Sequence, residues 1–299
     1  MTEVGVFNTC RGVVVAAHGR HYIVELDDGH TLRCYPRGKK SLIACGDRVL
    51  VQQTSTDDGT VETVEPRQAL LFRADHFKQK LIAANVTQVA IVVACSPSFY
   101  DELVTRCLVA AGAQGLRALI VLNKIDLGSQ TAFARERLRM YIDVGYIVVD
   151  VCAHQDVASL RQRLLHQRTV LVGQSGMGKS SLINALIPNA RATVGETSLA
   201  LDSGRHTTTA TYRYRMDADS YLIDSPGMQE FGIAHLSPLQ VAHAFPEIEP
   251  LIGQCRFRDC LHLREPGCAI AAVEQEFHPE RMRIYRKLVT SLVNAPKHY

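Results

Sequence analysis

The sequence predicts an α/β domain built around a phosphate-binding loop, with a small β-barrel of the OB type before it and a metal-binding helical unit after it. Three observations carry this expectation. Residues 171–181 read LVGQSGMGKSS, the spacing G-x-x-x-x-G-K-S led by an apolar run at 169–172, the order in which a buried strand turns through a phosphate loop into a helix. Residues 5–66 break into about five short runs of alternating apolar and polar character. Three cysteines and one histidine fall between positions 255 and 268, a spacing suited to one metal ion.

A chain of 299 residues exceeds what one core usually supports, so two or three domains are expected, divided as 1–66, 67–235 and 236–299. The formal net charge of +3 is too small to announce a nucleic-acid binder by itself. Nine cysteines, odd in number and scattered outside the cluster, do not read as a disulfide framework. The opening MTEVGVFNTC is neither a secretory nor a transit sequence, and no apolar run approaches the roughly 18 residues that span a bilayer. A cytoplasmic protein without a membrane partner is expected.

In the first segment the runs lie at 12–16, 22–26, 31–34, 47–52 and 60–64, with turn signals at Asp27-Asp28-Gly29 and Asp57-Asp58-Gly59. Arg33, Arg37, Lys39 and Lys40 would stand on a loop or barrel rim, where a solvated loop and an oligonucleotide-binding face are both open readings. Residues 67–80 show no period and read as a linker. Then QVAIVVAC at 88–95 is a β-branched run of the kind buried on both faces of a parallel sheet, 100–113 has helical spacing, and 117–122 is a second buried strand.

That strand runs into Asn123-Lys124-Ile125-Asp126. At a strand's C-terminal end, the Asp126 carboxylate can accept from the N1 and N2 donors of guanine while Asn123 steadies the base edge and Lys124 covers its plane. Adenine lacks those donors and would leave the carboxylate unpaired, which selects for guanine. A further strand at 146–151 ends in Cys152-Ala153, where a backbone N–H could reach the guanine O6 or where Cys152 is a plain buried thiol.

In the phosphate loop, Gly173, Gly176 and Gly178 let backbone N–H groups turn inward, with Gln174, Ser175 and Met177 between them. Lys179 would reach the β- and γ-phosphates, Ser180 would hold Mg²⁺, and Ser181 opens the helix whose N-terminus faces the anion. Residues 191–210, containing SGRHTTT, read as a segment ordered by a γ-phosphate and its metal, with Thr208 favoured over Thr207 as the Mg²⁺ contact. His206 stands there either as a solvated loop histidine or as a catalytic group. Tyr221-Leu-Ile-Asp224-Ser-Pro-Gly227 is a strand ending in D-x-x-G: Asp224 would hold Mg²⁺ through water, and the Gly227 amide would bond the γ-phosphate. Met228 follows, and a thioether cannot orient an attacking water.

Cys255, Cys260, His262 and Cys268 supply three thiolates and an imidazole, a closed structural zinc set beside Arg256, Arg258 and Arg264. Residues 279–293 form a helix with Arg281, Arg283, Arg286 and Lys287 on polar positions, either solvated or facing phosphates.

The motifs run N-K-x-D, phosphate loop, threonine segment, D-x-x-G, whereas ordinary GTPases begin with the phosphate loop. A circularly permuted GTPase domain follows, since termini that lie close together can be joined and reopened elsewhere. A nucleotide-gated RNA-binding module without turnover is the competing class. A kinase or ATPase is disfavoured by NKID. Taken together, NKID, GQSGMGKSS, GRHTTT, DSPG with a hydrophobic successor and C-x4-C-x-H-x5-C resemble the circularly permuted GTPases that depend on the small ribosomal subunit, the RsgA family, also called YjeQ or YloQ. The resemblance implies a bacterial, monomeric enzyme that hydrolyses GTP to GDP during late 30S maturation, contacts 16S rRNA, and is stimulated by the subunit. It also implies that His206 replaces the missing glutamine. The chain departs from the pattern at Cys152, where serine is usual, and at Met228.

Overall fold

The computed structural model describes residues 9–38, 42–74, 79–188, 190, 210–225 and 231–295. Its first five strands are β1 (Thr9–Ala17), β2 (Tyr22–Leu26), β3 (Thr31–Pro36), β4 (Arg48–Gln53) and β5 (Asp58–Val64). β1 pairs with both β2 and β4, and β5 lies between β3 and β4, so the five strands close on themselves. Closure follows from the alternation: Val14, Val24, Leu32, Val49 and Val51 all point inward and form a core of their own. Of the basic rim, Arg33 is spent on Asp58 at 2.8 Å and Arg37 on Glu62, both on β5. Lys39 and Lys40 lie outside the described residues.

The stretch read as a linker is a hairpin, β6 (Leu70–Ala74) with β7 (Gln79–Ala84). Its register shifts between Leu71 and Phe72, which breaks the alternation that would have revealed it. Just before it, Arg67 makes a two-pronged bond at 2.7 and 2.8 Å to the fully buried Asp47, fastening the hairpin's base to the barrel.

The central layer comprises β8 (Gln88–Ala94), α1 (Asp101–Gly112), β9 (Arg117–Asn123), α2 (Ser129–Ile142), β10 (Ile147–Asp150), α3 (Ala158–Leu164), β11 (Arg168–Val172), α4 (Lys179–Leu186), β12 (Thr211–Arg215) and β13 (Tyr221–Asp224). Their order in space is β10-β9-β8-β11-β13-β12, parallel except for β12. Crossovers run outward from β8 in one direction and from β11 in the other, so the crevice beyond the carboxyl ends of β8 and β11 is the switch point where open α/β sheets bind ligands. β12 escaped the sequence reading because it follows directly on the aperiodic threonine-rich segment. It pairs antiparallel with β1 through Ala16–Tyr212 and Ala17–Thr211, which fuses barrel and sheet into one eleven-stranded surface.

The C-terminal unit holds α5 (Pro238–His243), α6 (Ala269–Ala272) and α7 (Pro279–Val293). Ser237 and Gln240 cap α5 reciprocally. Phe245, Ile248, Met282, Ile284 and Leu288 join the same apolar core as the sheet. Arg281 corrects the expectation of a polar helix face: it is 1% exposed, doubly bonded to Glu247 at 2.7 and 3.0 Å and stacked 4.5 Å from the Phe245 ring. A guanidinium can be buried there because a carboxylate and an aromatic face replace water. The other three cations of α7 are also paired, Arg283 with Glu280, Arg286 with Glu274 and Lys287 with Glu102 of α1. Among the described residues, no helix is long and apolar enough to cross a membrane.

Candidate nucleotide site and metal centre

The residues singled out from the sequence converge at the carboxyl ends of β8, β9 and β11. Asn123 sits in register with Ala94, so the tetrad begins where β8 ends. Its amide does two jobs: Nδ2 donates to the Met177 carbonyl at 3.0 Å, and Oδ1 accepts from the Ala153 N–H at 3.2 Å. One buried side chain thus joins the base tetrad, the phosphate loop and the loop after β10. Lys124, held in the left-handed region at φ 63°, carries its ammonium to the carbonyls of Ser96 and Gly176, both at 2.7 Å. Asp126 is exposed, and the buried Cys152 thiol donates to its Oδ1 at 3.3 Å. Ile125 donates its N–H to Val151.

Two glycines of the loop are fixed by close approach. A Cβ on Gly173, at φ 146°, would lie 2.3 Å from the Val92 carbonyl oxygen, and one on Gly178, at φ 88°, would lie 2.3 Å from Asn123 Nδ2. Both positions combine a backbone conformation that side chains rarely adopt with no room for one. Met177 drives its side chain fully into the core, anchoring the loop from below. Gln174 accepts from the N–H of Tyr100, which heads α1. Ser175, Gly176 and Ser180 are exposed, while Ser181 is half-buried.

Lys179 is buried, with its Nζ on the carbonyls of Gly173 and Gln174 at 2.8 and 3.0 Å. Burial draws its ammonium below the ordinary lysine range, and the nearby Asp224 carboxylate works against that drop. Asp224 ends β13 in register with Leu171 of β11, which leads into the loop, so its carboxylate acts on Lys179 at the start of α4. Ser180 and Asp224 are hard oxygen donors of the kind Mg²⁺ takes. Thr207, Thr208, His206, Gly227 and Met228 lie outside the described residues.

The four ligand atoms of Cys255, Cys260, His262 and Cys268 lie within 4.8 Å of one another. His262 Nδ1 is 3.4 Å from Cys255 Sγ and 3.5 Å from Cys268 Sγ, and those two sulfurs are 3.9 Å apart. Bond lengths of about 2.3 Å to sulfur and about 2.0 Å to nitrogen give a tetrahedron with edges of about 3.5–3.8 Å, close to the separations among Cys255, His262 and Cys268, with Cys260 Sγ within 4.8 Å of them. Glu265 braces the turn, accepting backbone N–H bonds from Leu261, Leu263 and Arg264. Burial opposes its ionisation, but those bonds prevail and hold its carboxyl down to about 2. The sequence offered no sign of Glu265, since its partners are main chain.

A phosphate loop at the end of β11, a base tetrad at the end of β9 and an acid at the end of β13, threaded in permuted order, define a circularly permuted P-loop GTPase. The model of the RsgA GTPase family matches residues 64–234. The small ribosomal subunit biogenesis GTPase RsgA of Nitrosospira multiformis is 50% identical over 284 residues, 94% of this chain and 91% of that protein. The crystal structure of YjeQ from Thermotoga maritima, at 30% identity, superposes with a TM-score of 0.72 over 97% of this chain and 100% of that one. YloQ, described as a circularly permuted GTPase, shares the fold at 24% identity, with a TM-score of 0.69 and full coverage of both chains. The chain belongs to the RsgA GTPase family.

Proposed function

We propose that this protein hydrolyses GTP to GDP and phosphate on the small (30S) ribosomal subunit, late in that subunit's maturation, and that the subunit stimulates it. The observation that carries the reading is Asn123, which ties the guanine-reading tetrad to the phosphate loop and to the Cys152–Ala153 loop in one place. The relatives' shared description as small ribosomal subunit biogenesis GTPases supports the partner. In this reading 1–66, 67–235 and 236–299 act as barrel, catalytic and zinc units of a cytoplasmic monomer that meets 16S rRNA.

Asn123, Lys124, Ile125, Asp126, Cys152 and Ala153 would hold the base, and residues 173–181 the phosphates. Ser180, Thr208 and Asp224 would hold Mg²⁺, which when bound neutralises charge on the β- and γ-oxygens. Zn²⁺ is the ion that fits the three-sulfur, one-nitrogen set, and four protein donors leave it no water position, so its role is structural. Lys179 and the Gly227 amide would stabilise the charge that develops at transfer, and a neutral His206 would accept a hydrogen bond from the attacking water.

Single-turnover GTP hydrolysis with and without purified 30S particles tests the enzyme reading, ATP serving as the control. Stimulation of GTP but not ATP cleavage supports it; GTP-dependent binding to the particle without cleavage would leave the gated-binder class standing. His206→Ala is expected to spare GTP affinity and 30S binding while removing most of the stimulation. Equal stimulation of variant and parent would end the role given to His206.

A further inference from the structure

The carboxylate at the end of β13 stands in one rung that runs from the barrel into the sheet. Ala16 of β1 faces Tyr212 of β12, Tyr212 faces Asp224, and Asp224 faces Leu171 of β11, which leads into the phosphate loop. Hydrogen-bonded strands lie about 4.8 Å apart, so the barrel's own strand runs only two spacings from the residue assigned to Mg²⁺.

A second contact reaches β13 from the turn before β4. Cys45 is 1% exposed and belongs to the catalytic core together with Ile223, the neighbour of Asp224. Gly46 donates its N–H to the Val14 carbonyl at 2.8 Å and accepts from Asn85 Nδ2 at 3.0 Å, while the Cys45 carbonyl accepts from the Ala84 N–H at 2.8 Å. The buried Asp47 carboxylate accepts from the Ala44 N–H at 2.7 Å as well as from Arg67. Gly46 itself sits at φ 93°, and a Cβ there would lie 2.3 Å from the Ala84 carbonyl oxygen and 3.5 Å from Ile223 Cδ1. A close-packed interior transmits a displacement rather than absorbing it, so the barrel and β13 keep a fixed distance.

We infer that the barrel positions Asp224, through the Ala16–Tyr212–Asp224 rung and through Gly46 packed against Ile223. Ala16 and Gly46 are positioning residues: they act through β12 and β13 on the metal-holding carboxylate. A barrel held at a different distance shifts that carboxylate relative to the phosphate loop on β11 and weakens the Mg²⁺ site. The base tetrad, three strands away on β9, keeps its place. The inference rests on the Mg²⁺ role given to Asp224 above.

The test is a Mg²⁺ titration of the binding of a fluorescent, non-hydrolysable GTP analogue to the full-length protein with its metal knuckle, residues 255–268, loaded. Gly46→Ala is expected to raise the Mg²⁺ concentration for half-maximal tightening about tenfold, with affinity in Mg²⁺-free buffer within about twofold of the parent. Ile223→Val withdraws the methyl that Gly46 faces and should raise it about two- to threefold, which keeps the question decidable if Gly46→Ala does not fold. Gly12→Ala is the control for strain alone: a Cβ there would lie 2.6 Å from the Glu25 carbonyl oxygen, where β1 pairs with β2 and β4. It should unfold earlier in denaturant with its Mg²⁺ requirement unchanged.

An unchanged Mg²⁺ requirement in the folded variants at Gly46 and Ile223 would overturn the inference. So would an equal loss of affinity without Mg²⁺, or a shift in Gly12→Ala as large as in Gly46→Ala. A parent that binds the analogue equally well at every Mg²⁺ concentration would fail the metal assignment and the inference with it; a responding parent beside variants that match it fails the inference alone.

Discussion

The nucleotide pocket and the metal knuckle are held together over very different distances along the chain. The bonds made by the side chains of Asn123, Lys124 and Asp126 join residues 26 to 54 positions apart, whereas the side-chain bonds within the knuckle reach at most 14. The pocket therefore exists only when the whole sheet has assembled, since each bond requires loop closures that the strand ladder must first stabilise. The knuckle's own bonds are local, and its main tie beyond them is the Tyr285 hydroxyl of α7, which donates to the Leu261 carbonyl at 3.0 Å, with Cys268 in the shared core.

Metal removal should sharpen this contrast most. A chelator is expected to abolish protection of amides in residues 255–268 while GTP affinity stays within a few-fold of the parent, because folding energy there is metal-binding energy. Parallel loss of nucleotide binding, followed by hydrogen exchange and nucleotide titration together, would show the two regions to be one cooperative unit through their shared core.

Next in size is Lys179→Ala, expected to cut turnover about 10²-fold or more by removing a charge aimed at the developing phosphate charge, with no change at the knuckle. Near-normal single-turnover rates would remove Lys179 from the machinery. Arg281→Met disrupts the packing of the C-terminal unit by leaving Glu247 buried without its partner; a loss of about 3–5 kcal/mol in denaturant unfolding is expected. A loss below about 1 kcal/mol would mean that the site relaxes or admits water.

Asp126→Asn should weaken guanine nucleotides and admit xanthine nucleotides, because an acceptor facing N2 becomes a donor. Unchanged guanine preference in a titration of both would take Asp126 away from the base. The smallest effect belongs to Cys152→Ala, which frees one carboxylate oxygen from a thiol and should cost a few-fold in GDP affinity, recovered by Cys152→Ser. No change in either variant would leave Cys152 as core alone.

Legibility in the sequence follows the same division. The phosphate loop, the tetrad, the acid at 224 and the four metal donors were readable because each is a local pattern whose spacing states its chemistry. β8 was readable because a strand covered on both faces is apolar throughout. Arg281 was not: its helical position looks polar, and only Glu247 and Phe245, distant in sequence, make burial tolerable. Asn123 was read as a base contact, yet its bonds to Met177 and Ala153 are invisible until the β9–β8–β11 order is known. The β6–β7 hairpin was hidden by its slipped register, and His206, Thr208 and Gly227 fall outside the described residues.

The pairing of β1 with β12 bears on how the barrel's contribution can be measured. Ala16 and Ala17 cover part of the outer flank of β12, the strand that leaves the threonine-rich segment. A chain shortened to start beyond the barrel would bare that flank, and an unpaired strand edge invites self-association. Poor ribosome binding by such a truncated protein would then report clumping at the new edge as well as a missing contact. Point substitutions on the barrel surface that spare Ala16 and Ala17 avoid the confusion.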